Sequence, residues 1–380
     1  MRILTLNIWG APYAKHRPER IQMIANEIKQ NLKPDIVCFQ EVYMPNDRRQ
    51  LIDSLKSYYP HYHFFASGII GSGLLTMSCF PIIDTVFHRF RMSGKPEDIT
   101  HGDYYAGKGI GLARINAVEG RVDVYNCHTH AQYEADDNNE YAVFNETNLY
   151  EAAGFIHAYS SNCPTVLCGD LNTRPEQLGY EIITKLGNLT NAFYRIHHQF
   201  PITYAADNPY VESENQCLDY VLLRNASADS VELVMQERLS GRAKAYSDHY
   251  SLLAEIHPVD ESVENYEFEP VVNRFYEHVK IALVETENEQ MGALVRIALG
   301  LVSIADSMAA AAFLQYFSRS LARYMRRLAF WGSIGFGLYQ LMQAGLNLQA
   351  RRNALSAIEQ ELERQIEAEC LFDGRVFKNN

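Results

Sequence analysis

Residues 165–172 read TVLCGDLN, an apolar run suited to a buried strand, followed by a glycine, an acid and an amide where the strand stops. The ending recurs along the chain. LTLNIWG carries Asn7, CFQEV carries Glu41, LDYV opens on Asp219, and YSDHY carries Asp248 and His249. Layered α/β folds gather their active sites at strand ends. A single Asp or Asn beside a glycine is ordinarily a turn residue; five such endings in one chain point to a site.

On either side of this stretch, short β-rich runs alternate with amphipathic stretches from Arg2 to about Pro258: RILTLNIW, IVCFQEV, LLTMSCFPI, LARINAV, VDVYNCHTH, TVLCGDL, LDYVLLRN and SLLAEIHP. Many strands and few helices predict a layered α/β sandwich over residues 1–258, which the resemblance named below implies to be a four-layer one. Pro18 suits the first turn of a helix whose face is Ile21, Ile24, Ala25, Ile28 and Leu32. Further helices are expected from near Asp47 to before Pro60 and from Tyr141 to Ser161.

The composition, 47% hydrophobic and 21% charged over 380 residues, is that of a folded globular chain and excludes a disordered, collagen-like or disulfide-stapled one. The net charge of -12 would repel a nucleic-acid backbone, so no nucleic acid is expected as a partner. Seven cysteines cannot all pair within one chain, and Cys38, Cys79, Cys127 and Cys168 fall in predicted strands, which suggests reduced thiols facing cytosol. MRILTLNIWG reads as neither a signal nor a transit peptide.

After Pro258 the character changes. An acidic linker is expected over 259–290, a hydrophobic helical segment over 291–350 and a polar helical tail over 351–380. Two candidate membrane spans, 293–317 and 328–349, flank Arg319, Arg323, Arg326 and Arg327. The second run is uncharged for about the 20 residues that a bilayer crossing requires, and the first is broken by Arg296 and Asp306. The expectation is an integral membrane protein, held by a C-terminal helical hairpin, with its catalytic domain facing cytosol. Nothing in the sequence speaks to oligomeric state.

The chemistry-bearing residues suit a hard divalent cation, which takes oxygen ligands and keeps positions for water and phosphate. Glu41 is the natural carboxylate for it. His128 and His130, in VDVYNCHTH, share a face if that strand is regular. HGDYYAGKG is a glycine-rich cationic loop around Lys108 that fails the Walker spacing.

LNIWG, QEV, GDLN, LDYV and SDH, in this order over the first two-thirds of the chain, resemble the endonuclease/exonuclease/phosphatase superfamily with its deoxyribonuclease-like fold. SGIIGSGLLTMS (67–78), HGDYYAGKGIGL (101–112) and HTHAQY (128–133) resemble the neutral sphingomyelinase family within it, and the hydrophobic C-terminal pair is similar to that family's membrane-anchored branch. The resemblance implies Mg²⁺, for which Mn²⁺ can substitute, held by Glu41 with Asn7 beside it and Asp248 as an accessory acid. It implies His249 as general base, Asp219 as the acid that orients it, and Asp170 and Asn172 as groups that hold the scissile phosphate and the attacking water. His128 matches the second active-site histidine, preferred over His130 by position, and Asp103 with Lys108 match a switch pair in the active site.

The implied activity is phospholipase-C-type hydrolysis of sphingomyelin, a membrane sphingolipid, to ceramide and phosphocholine. The alternatives are lyso-phosphocholine lipids or inositol phosphosphingolipids, then a nuclease or phosphoinositide phosphatase, and last an inactive scaffold. The net charge of -8 through Pro258, from 22 Lys plus Arg against 30 Asp plus Glu, opposes a nuclease.

Overall fold

The computed structural model describes residues 1–96, 102–133, 141–160, 163–259, 269–314, 316, 319–342 and 346–372. The chain divides into two units, Met1–Val271 and Val272–Asn380. The first holds two six-stranded sheets. One runs β11 (Ala226–Val234), β12 (Ser251–Pro258), β1 (Arg2–Asn7), β2 (Ile36–Gln40), β4 (Leu75–Ser78), β3 (His61–Phe64). The other runs β5 (Ile82–Arg89), β6 (Gly109–Ala117), β7 (Gly120–His128), β8 (Thr165–Asp170), β10 (Asp219–Arg224), β9 (Thr190–Asn191).

Side-chain alternation explains the layering. In β1 and β2, Ile3, Ile36 and Cys38 enter the core between the sheets, with Val122, Val124, Val166, Cys168, Val221 and Leu223 from the other sheet. Leu4, Leu6, Val37 and Phe39 point the opposite way, onto α1 (Arg17–Glu27) and α2 (Pro45–Leu55), through Ile21, Ile24, Ala25, Leu51 and Leu55. On the second sheet's outer face, α4 (Ala142–Tyr159) stacks Phe155 on His88 and sets it edge-on to Tyr125. The short helices of this unit are α3 (Asp103–Ala106), α5 (Leu178–Glu181) and α6 (Ala192–His197). The order is helix, sheet, sheet, helix. Strands β3, β5, β9 and β11 have no counterpart of their own among the expected runs. β3, β5, β9 and β11 are all edge strands, and β5 and β11 carry polar residues on a partly exposed face, so neither shows the apolar signal of a central strand.

At one end the core between the sheets changes from apolar to polar. Along the same inward faces, Thr5, Gln40 and Asn126 follow Ile3, Cys38 and Val124, and all three are fully buried. Gln40 Nε2 donates across the sheets to Asn126 Oδ1 at 2.8 Å, and Asn126 Nδ2 donates back to Phe39 O at 3.1 Å. One step further along these faces stand Asn7, His128, Asp170 and Asp219.

The second unit is helical. Helices α7 (Glu269–Leu314) and α9 (Leu348–Phe372) run antiparallel, tied by Tyr276 to Glu363 at 2.9 Å, Arg352 to Glu287 at 2.9 Å and Arg351 to Glu289 at 3.1 Å. Phe275, Val279 and Ala282 of α7 are buried, as are Leu355, Ile358 and Leu362 of α9. α8 (Arg319–Met342) accepts Arg296 of α7 through Gln340 at 3.1 Å.

The expected membrane hairpin finds no support among the described residues. Among the described residues no helix is long and apolar enough to cross a membrane. The part of the second expected span that lies within α8 is Leu328–Met342, uncharged throughout. The rest of the second span crosses 343–345, and the first includes 315, 317 and 318; these lie outside the described residues, as do 260–268 of the linker and 373–380 of the tail.

Removing Gln40 takes the donor from Asn126 Oδ1, and removing Asn126 takes one acceptor from Gln40 Nε2. Gln40→Ala and Asn126→Ala are each expected to destabilise the first unit by about 1–3 kcal/mol. In urea unfolding the double variant should lose clearly less than the two losses added together, and strict additivity would show that the amides do not act as a pair.

Candidate active site

The polar end of the sandwich opens into a cleft of about 370 Å³, lined among others by Trp9, Tyr13, Glu41, Asp103, Lys108, His128, Asp170, Asn172, Asp248 and His249. Asn7 and Asp219 stand behind these walls and reach them by hydrogen bonds. The carboxamide of Asn7 donates from Nδ2 to Asp170 Oδ2 at 2.9 Å and to Glu41 Oε1 at 3.2 Å. Its oxygen accepts from Trp9 N–H at 2.9 Å, so Asn7 bridges two carboxylates and would have to rotate to offer a metal its oxygen.

Three of these residues, Trp9, Glu41 and Asn172, adopt left-handed backbone conformations with φ of 50°, 60° and 44°. For residues with a Cβ this costs roughly 1–3 kcal/mol each and tends to collect at functional sites. Glu41 turns there because β2 ends at Gln40, and Gly10 makes room: a Cβ on Gly10 would lie 1.9 Å from Glu41 O.

His249 Nδ1 meets Asp219 Oδ2 at 2.8 Å, and its Nε2 lies 3.8 Å from Asp170 Oδ2. Burial pushes the imidazole pKa down, but Asp219, Asp170 and Asp248 together hold it well above its ordinary value. His128 is the opposite case. Burial first, then Lys108 and His249, hold it well below the ordinary value, so it is a neutral imidazole. Its Nε2 is 3.6 Å from Asp170 Oδ2.

His128 and His130 do not share a face. β7 ends at His128, and the chain then turns so that His130 stacks on Tyr141 at 5.0 Å and packs near Phe144. Lys108 pairs with Asp103 and donates to Thr129 O at 2.9 Å, while Tyr133 donates to the other oxygen of Asp103. Burial alone would raise the Asp103 carboxyl, but Lys108, His130 and Tyr133 outweigh it and lower its pKa. Asn172 Nδ2 donates to Thr129 O at 3.1 Å, and its backbone N–H donates to Asp170 Oδ1 at 3.0 Å.

Two residues that support this site carry no motif. The fully buried Arg20 donates to Lys15 O, Ile8 O, Trp9 O and Tyr246 O at 2.6–3.2 Å, tying the loop after β1 to the segment before Asp248. Asn145 of α4 donates to His130 O, Leu171 O and Asn172 O at 2.9–3.2 Å. Both look like ordinary helix positions in the sequence; only a buried arginine on the apolar face of α1 gives a signal.

The residues fit a divalent cation. Burial raises the carboxyls of Glu41 and Asp170 and lifts Asp248 to about 6, which is what acids do when too little positive charge faces them. Asp219 Oδ1 and His128 Nδ1 are buried and make no hydrogen bond among the described residues. Asp170, Asp219 and His249 each offer an atom within 4.8 Å of the others. Since His249 Nδ1 and one Asp219 oxygen are engaged with each other, the free oxygens of the carboxylates are the better donors to a hard ion.

The pattern of the "Endonuclease/Exonuclease/phosphatase family" matches residues 4–249. Sphingomyelin phosphodiesterase 2 of Homo sapiens is 32% identical over 271 residues, covering 67% of this chain and 64% of that protein. An inositol phosphosphingolipids phospholipase C of Saccharomyces cerevisiae is 28% identical over 220 residues, covering 52% and 46%. This chain therefore spans less than two thirds of the length of these relatives. The crystal structure of beta toxin from Staphylococcus aureus with bound magnesium ions superposes with a TM-score of 0.54 at 16% identity, covering 67% of this chain and 98% of that one, and shares the fold. With the two-sheet sandwich, the acidic cleft and the match over residues 4–249 together, the chain belongs to the endonuclease/exonuclease/phosphatase family.

Proposed function

We propose that this chain is a Mg²⁺-dependent phosphodiesterase of the phospholipase C type that hydrolyses sphingomyelin to ceramide and phosphocholine at a membrane surface, with Mn²⁺ able to substitute. The observation that carries the reading is the make-up of the cleft. A hydrogen-bonded His249–Asp219 pair and buried carboxylates share it with Trp9, Tyr13, Tyr43, Tyr133 and Tyr204. Aromatic faces attract quaternary ammonium groups, and the acids repel further negative charge. Both features suit a zwitterionic phosphocholine headgroup better than a polyphosphate or a nucleic-acid backbone. The name of the human relative supports this choice.

Asp219 holds His249 in the tautomer and orientation that aim Nε2 at the cleft. The carboxylates that raise His249 also favour a cation. When their charge is taken up, the field on the imidazole weakens and Nε2 can accept a proton from a water held beside Asp170. His128, neutral and buried, donates its ring N–H to a phosphoryl oxygen. Asn172 has a second amide N–H for the same group, and Lys108 adds positive charge once it leaves Asp103. Glu41, with Asp248 and the Asn7-held Asp170, would hold the divalent ion, which supplies Lewis-acid stabilisation of the leaving alkoxide. The free cysteines Cys38, Cys127, Cys168 and Cys217, all buried, support a catalytic unit facing cytosol. The proposal includes no spanning helices.

Chelator should abolish turnover and Mg²⁺ or Mn²⁺ restore it, while Glu41→Ala should abolish it with the circular dichroism spectrum unchanged. Full activity in chelator is incompatible with the proposal. His249→Ala is expected to lower kcat on sphingomyelin vesicles at least about 10²-fold, and Asp219→Asn to impair it through the wrong imidazole tautomer. Parent-like turnover by either folded variant would remove the pair from the mechanism. Finally, sphingomyelin should outrun lyso-phosphocholine and inositol phosphosphingolipid substrates in kcat/KM; the reverse order would move the assignment to the activity named for the yeast relative or to lyso-lipids.

A further inference from the structure

The segment Ser67–Gly73, SGIIGSG, belongs to the cleft's rim but has no part in the chemistry above. Ile69 stands at its tip with 80% of its surface exposed. Its neighbour Ile70 lines the cleft, as does Tyr13, which is itself 72% exposed. The seven residues carry no charge. The backbone at the tip is already satisfied, since the N–H groups of Ile69 and Ile70 both donate to Tyr105 O, at 3.1 and 3.2 Å.

The loop is also fastened to the segment that carries Asp103 and Lys108. Gly68 and Gly107 pack backbone to backbone with φ of 59° and 63°. A Cβ on Gly68 would lie 2.8 Å from Gly107 Cα, and one on Gly107 would lie 2.6 Å from Gly68 Cα. Only glycine fits at both positions, and the contact fixes the height of Ile69 relative to Lys108.

We propose that this loop docks on a lipid bilayer through Ile69, with Tyr13 as a second contact on the rim. The proposal rests on the lipid-substrate reading. A bilayer is favoured over a protein partner because the exposed side chains continue the wall of the cleft that must draw its substrate from the lipid, and because a neutral tip with satisfied amides can enter the headgroup region without burying a charge or an unpaired N–H. Tyrosine is suited to that same interface. The Gly68–Gly107 contact then sets how far the reactive groups stand above the surface.

The test uses the full chain and vesicles of phosphatidylcholine with sphingomyelin. In Ile69→Trp, brominated phosphatidylcholine should quench fluorescence beyond the quenching of the parent's two tryptophans. Ile69→Asp should lose about tenfold or more of vesicle turnover while keeping parent-like turnover of a short-chain, water-soluble phosphocholine ester. No added quenching in Ile69→Trp, or equal losses on both substrates in Ile69→Asp, would overturn the docking. Quenching is read without turnover, so added quenching in a chain that cleaves no phosphocholine lipid would leave the docking standing and sink the proposed reaction. Turnover without added quenching would do the reverse.

Discussion

The first unit depends on one buried contact, the amide pair that joins its two sheets. Gln40 and Asn126 face each other across the sandwich at 2.8 Å, at the level where the packing changes from Cys38 and Val124 to Asn7 and His128. Below this level the sheets are held by apolar burial, which is non-directional and tolerates sliding. A buried amide of one sheet that donates to the other, and whose partner donates back to the backbone beside it, favours one register. It therefore fixes the side chains of one sheet, Asn7 and Glu41, against those of the other, His128, Asp170 and Asp219.

Fixing so many acids in one place has an energetic cost, visible in the raised carboxyls of Glu41, Asp170 and Asp248. The strained backbone at Trp9, Glu41 and Asn172 adds to it. Supporting contacts offset this at a distance: Arg20 gathers four backbone carbonyls, and Asn145 gathers the turns after β7 and β8. Neither residue faces the cleft. The arrangement is one in which residues far from the chemistry maintain a local charge imbalance that a divalent cation relieves.

In the helical unit, charges that interrupt or flank the apolar runs find partners on neighbouring helices. Arg296 interrupts an apolar run and would be costly in hydrocarbon, yet it bonds to Gln340 of the neighbouring helix. Arg351 and Arg352 can be read as flanks of a span, yet they pair with Glu289 and Glu287 across an antiparallel helix pair. All three contacts depend on residues 44 to 65 positions away.

What the sequence determined by itself was the alternation of strands and helices and the list of polar residues at strand ends. Those are local: a period of two selects the face, and a glycine with an acid marks the stop. Central strands were legible because both faces are apolar, whereas the edge strands β5 and β11, wet on one side, were not. The tertiary structure alone decided that His128 and His130 part company, because the strand ends between them. It also decided that Asn7 turns its nitrogen rather than its oxygen to the carboxylates, and that Gln40, Asn126, Arg20 and Asn145 support the site. Each of these depends on a partner distant in sequence, and a hydrogen bond's direction is set by where that partner stands in space, which no local pattern of residue types encodes.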